Sequence, residues 1–75
     1  MQRKLYKELW TMRFQKMLKL EEQSIEGYGA LLKESKEKYK SATELQDHLA
    51  KLITDEKKHA KLVRELLSIV DRQVD

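Results

Sequence analysis

Residues 38–45 read KYKSATEL, and the architecture turns on this short polar run. The sequence on both sides of it is rich in helix formers. It has no proline and only two glycines, Gly27 and Gly29. No stretch alternates with the period of two that a half-buried strand requires. Within the run, Ser41 and Glu44 fit a capping box, in which the Ser41 hydroxyl accepts from the Glu44 amide while Glu44 reaches back. Thr43 with Gln46 offers a rival cap two residues later. A helix is therefore expected to begin here. The pattern predicts one helix over about residues 3–38 and a second over about residues 42–72, each roughly 45–55 Å long at ~1.5 Å per residue. A link this short folds the second helix back along the first.

Steps of three and four trace a stripe on each helix. On the first it runs Trp10, Phe14, Met17, Glu21, Ser24, Tyr28, Leu31, Ser35. On the second it runs Ala42, Leu45, Leu49, Leu52, Glu56, His59, Val63, Leu66, Val70. Ile25, Leu32, Ile53, Ala60 and Leu67 widen both stripes toward the broad apolar face of a bundle helix. A lone hairpin offers each stripe one partner and leaves much of both wet. The expected fold is all-α: residues 1–75 form an antiparallel two-helix hairpin that dimerises into a four-helix bundle.

Composition bounds the rest. A chain of 75 residues makes one small domain whose own core is marginal. It has no cysteine, which excludes disulfides, iron–sulfur clusters and thiolate zinc sites. Oligomerisation, or a metal on other ligands, remains to stabilise it. Charged residues make up 39% of the chain, but both signs are interspersed and the net charge is only +3. That is the pattern of solvated helix surfaces, so no nucleic-acid partner is expected. No apolar run approaches the ~20 residues of a membrane span, and MQRKLYKELW lacks the apolar stretch of a signal peptide. A cytoplasmic protein with no membrane partner is expected.

Glu21, Glu56 and His59 interrupt the centres of the two stripes. A turn near residue 40 pairs positions whose numbers sum to about 80, which puts Glu21 level with His59 and within one turn of Glu56. An ionised carboxylate buried alone costs several kcal/mol. One imidazolium offsets only one of the two glutamates in each chain. In a symmetric dimer, four glutamates and two neutral histidines are balanced by two divalent cations. Carboxylate with imidazole suits iron, manganese or zinc. The level lies near the middle of both helices, so hairpins docked with their loops at opposite ends bring equivalent levels together at one shared site.

Two segments carry a resemblance to a known family: Glu21-Glu22-Gln23-Ser24-Ile25-Glu26-Gly27-Tyr28 and Asp55-Glu56-Lys57-Lys58-His59-Ala60. Across roughly residues 17–67 the chain resembles the ferritin-like superfamily, and most of all rubrerythrins and encapsulated half-ferritins. In these a glutamate stands seven residues before a tyrosine and a Glu-x-x-His-Ala follows on the next helix. The resemblance implies a dinuclear iron site shared between two chains. Glu21, Glu56 and His59 would be its metal ligands and, together with Tyr28 as a hydrogen-bond partner of a carboxylate, its catalytic residues. It also implies that zinc, manganese or calcium can stand in for iron, and that a shell protein can enclose the oligomer in a nanocompartment. Without cysteine there is no rubredoxin module, so the activity expected is that of a ferroxidase in iron storage or detoxification. The alternative is a non-catalytic helical-hairpin dimer, serving as an interaction module or carrying a purely structural metal.

Overall fold

The computed structural model describes residues 2–73. It contains two helices, α1 (Gln2–Lys38) and α2 (Thr43–Asp71), joined by a four-residue turn. They lie side by side along their whole length as an antiparallel hairpin 58 Å long and 14 by 11 Å across. Among the described residues there is no strand, and no helix is long and apolar enough to cross a membrane.

The helix bounds agree with the sequence expectation, but the cap between them does not. Ala42 is the N-cap of α2, and no side chain caps the helix. Ser41 and Thr43 are both exposed, so neither proposed capping hydroxyl is used. The turn is closed by backbone bonds instead: the Tyr39 amide donates to the Ser35 carbonyl at 2.8 Å and the Ala42 amide to the Tyr39 carbonyl at 2.9 Å. The Gln46 side-chain amide donates to that same Tyr39 carbonyl at 3.2 Å. Ala42 is half-buried where the chain re-enters the hairpin, and this turns its two hydroxyl neighbours to solvent.

The packing seam also differs from the expected stripes. The main seam on α1 is Thr11, Phe14, Leu18, Glu21, Ile25, Tyr28, Leu32 and Ser35, and from the N-cap of α2 onward it is Ala42, Gln46, Leu49, Ile53, Glu56, Ala60, Val63, Leu67 and Val70; Lys7, Ser24, Gly29 and Asp55 are half-buried beside it. Both sets alternate steps of three and four without a break, which is a coiled-coil seam. Trp10, Met17, Leu31, Leu45, Leu52, His59 and Leu66, assigned above to the stripes, sit one column to the side and stay exposed. Close approach of the helices is the reason. Ala60, only 1% exposed, fills the seam position that the larger His59 would have taken.

The two flanks of the seam therefore differ. One carries Trp10, Met17, Ser24 and Leu31 from α1 beside Leu45, Leu52, His59 and Leu66 from α2, each set spaced by seven. The other carries Glu8, Gln15, Glu22 and Lys36 beside Lys57, Arg64 and Asp71. It is bridged by Arg64 and Glu22 at 3.3 Å, an exposed pair of the kind that contributes ~0–1 kcal/mol. The core of the single hairpin is thin: among the described residues Leu49, Ala60 and Val63 are the buried hydrophobics, and no large side chain is fully covered.

Gly27 and Gly29 lie within α1 at ordinary helical φ, and a Cβ at either would meet nothing within 4 Å. Neither glycine is demanded by the contacts of one hairpin. Gly29 belongs to the polar flank, so Gly29→Ala should stabilise the protein by up to ~1 kcal/mol through helix propensity. Thermal unfolding followed by circular dichroism should show a rise of ~4–8 °C.

Candidate metal centre

Glu21 enters the seam from the middle of α1 and Glu56 from the middle of α2. His59, one turn after Glu56, stands on the adjoining apolar flank with its side chain 57% exposed. Glu21, Glu56 and His59 each present a ligand-type atom, and the three atoms lie within 4.8 Å of one another. The three residues thus meet at one level of the hairpin, as their spacing about the turn requires. His59 Nδ1 is 3.6 Å from Glu56 Oε1, longer than a good hydrogen bond.

The electrostatics of the cluster are unfavourable as it stands. Glu21 Oε2 is buried and has no hydrogen-bond partner. The Glu21 carboxyl is held above its ordinary 4.5, first by the hydrogen bond it can share with Glu56, then by burial and by the Glu56 charge; His59 pulls the other way. A bond between two carboxyls exists only while one of them keeps its proton. Once both ionise, Glu21 Oε2 is an acceptor without a donor. A covered oxygen, a second carboxylate and an imidazole, all within reach of one point, form a donor set that fits a divalent cation of the iron, manganese or zinc kind.

Tyr28, the second histidine and the neighbouring Glu22 fall elsewhere. Tyr28 is half-buried on the seam seven residues after Glu21, roughly 10 Å along the helix. No hydrogen bond joins it to either carboxylate among the described residues, so the carboxylate-partner role does not arise within one chain. His48 is exposed, and its Nδ1 lies 2.8 Å from the Glu44 carbonyl oxygen, away from the cluster. Glu22 is turned to Arg64 on the polar flank. What the sequence reading missed is that the cluster opens onto the apolar flank. The seven-residue spacing of Leu45, Leu52, His59 and Leu66 was the available signal.

The fold and site define a class: an antiparallel α-helical hairpin with a Glu–Glu–His cluster at mid-length that faces an uncovered apolar flank. No family model, curated protein or solved structure matches the chain.

Proposed function

We propose that two hairpins dock through their apolar flanks into a four-helix bundle, and that their facing Glu21–Glu56–His59 clusters bind Fe(II) and oxidise it with O₂ or peroxide. One observation carries this reading. Glu21 Oε2 is buried without a partner inside a three-ligand cluster that faces the flank left uncovered. A metal-free protein gains nothing from that arrangement. The resemblance to ferritin-like bundles, with inward glutamates and a Glu-x-x-His, points to the same chemistry.

Each residue has a definite part. Glu21 and Glu56 supply the negative charge that offsets a divalent ion and accommodates its rise to the ferric state. His59 binds as the neutral imidazole, so it must lose any proton first. Apolar neighbours such as Met17 and Leu52 exclude bulk water once a second hairpin covers them. Iron held there would supply the redox chemistry: two Fe(II) would give two electrons to one peroxide, which with two protons would become two waters.

Two measurements test the proposal. Sedimentation equilibrium at micromolar concentration should give a dimer or a multiple of it, because the thin core leaves the flank as the main remaining source of stability. Anaerobic Fe(II) titration should saturate at two ions per dimer, and addition of O₂ or peroxide should then develop a near-ultraviolet Fe(III)–oxo band. A compact, cooperatively folded monomer of 9.0 kDa that takes up no iron would overturn it. The Glu56–His59 contact at 3.6 Å would then be a structural ion pair in an interaction module.

A further inference from the structure

The end of the hairpin near the turn holds a groove that nothing within the chain fills. Leu31, Ser35, Tyr39, Leu45 and Leu49 line it, with Glu34 at the rim. Its lining is almost wholly apolar apart from Ser35. Ser35 is 4% exposed, and its Oγ has no hydrogen-bond partner.

The far half of the same flank carries the complementary shape. Trp10 is 45% exposed. It is held by Phe14, with ring centroids 5.6 Å apart, and by the Arg13 guanidinium 5.1 Å from its ring centre. Trp10 is thus a rigid, amphipathic side chain on the surface with a single N–H donor.

Charge separates the two halves of the hairpin. Residues 1–20 and 57–75, the open half, hold eleven Lys and Arg against four Asp and Glu, a net +7. Residues 21–56, the turn half, hold five against nine, a net −4, and the two halves together make +3. Two copies docked in parallel set like against like. Docked with their turns at opposite ends, each positive half lies along a negative one, the arrangement that favours association.

From these observations we infer that the groove is filled by the indole of Trp10 of the partner subunit. The inference rests on the shared site proposed above, because that site puts the two-fold axis level with Glu21. Leu31 then stands ten residues from the axis, ~15 Å, and Trp10 of the partner subunit stands eleven residues to the same side, ~16 Å. Side chains lean toward the N-terminus of their helix, which carries the partner's Trp10 on toward Ser35. The partner's Arg13 comes with it toward Glu34, whose carboxylate already pairs with Lys38 at 3.2 Å. By symmetry the contact occurs twice, once on each side of the iron, and it fixes which ends of the hairpins meet.

The absence of native cysteine makes the docking direct to test. In a Trp10→Cys/Leu31→Cys variant, mild oxidation and peptide mapping should recover 10–31 disulfides between chains. Recovery of 10–10 and 31–31 links, or of no interchain link in a dimer, overturns the inference. Trp10 is the sole tryptophan, so its emission in the otherwise native protein reports the groove. Emission should shift to the blue as dilute protein is concentrated into the dimer, and the shift should shrink in Ser35→Asp. Emission typical of exposed indole in a proven dimer overturns it. Iron uptake separates the two readings. A dimer that binds iron with Trp10 exposed refutes only the groove contact, and a dimer with Trp10 buried that binds none refutes only the function.

Discussion

His59→Ala and Glu56→Ala should each abolish stoichiometric iron binding, whereas His48→Ala should leave it unchanged. Among the described residues three side chains bring ligand atoms within 4.8 Å of one another, so removing one takes a third of the ligating residues. Loss of a mere outer partner of a metal ligand weakens binding 10–100-fold. Loss of the ligand itself should exceed that, by at least ~100-fold or ~2.7 kcal/mol. The His59 variant is the cleaner probe. Its side chain is exposed in the hairpin and off the seam, so truncation should leave the helices and their packing intact. His48 is the matched control: the same residue type on the same helix, occupied with the Glu44 carbonyl. Anaerobic calorimetric titration with Fe(II) measures all three variants. Equal losses in the His48 and His59 variants would show that binding is adventitious to surface imidazoles.

The second large effect is expected from Glu21→Gln, and its sign depends on metal. In the metal-free protein the Glu21 carboxyl is raised above 4.5 by the shared bond with Glu56, by burial and by the Glu56 charge. A raised carboxyl means the folded state binds more protons than the unfolded chain between 4.5 and the raised value. Stability must then fall as pH rises through that window, and the loss is complete above it. Glu21→Gln removes the titration at nearly constant shape. The metal-free variant should be at least as stable as wild type at pH 7, and its stability should lose this part of the pH dependence. Metal reverses the order. At a free concentration about a hundred times Kd, an ion that binds only the folded dimer adds ~2.7 kcal/mol, or ~10–20 °C in a chain of this size. Wild type should show that rise with Fe(II), or with redox-inert Zn(II), and Glu21→Gln should not. The measurement is thermal unfolding at fixed protein concentration across pH, with and without metal. A wild-type Tm indifferent to metal, with a metal-free Glu21→Gln markedly less stable than wild type, would make Glu21 one half of a structural hydrogen bond.

Much of the site was legible because its evidence is one-dimensional. The separation of Glu21 from Glu56 and His59 across a single turn sets their relative height, and helix rise converts that separation into distance with little freedom. The side of the seam on which each residue sits was not legible. His59 and Ala60 are neighbours in sequence, and both columns through them are lined with residues a core accepts: Leu45, Leu52 and Leu66 in one, Ile53 and Leu67 in the other. Hydrophobic periodicity cannot separate two apolar columns that lie side by side on a helix. The cap failed for a related reason. Ser41–Glu44 and Thr43–Gln46 both match the capping pattern, but the conformation of a turn this short follows from where the second helix must land.

The sequence by itself determined that this protein is two helices, that they fold back on each other near residue 40, and that two glutamates and a histidine reach one level at mid-length. These follow from local propensity and from the fixed rise of a helix, which act within a few residues of each position. Only the tertiary structure decided which column of each helix closes the hairpin. That choice buries Ala60 and leaves Trp10, Met17, Leu31, Leu45, Leu52, His59 and Leu66 along one uncovered flank. It is a choice between competing helix–helix contacts, in which a small residue at the line of closest approach outweighs a larger one. The energy of that contact exists only once both helices are in place.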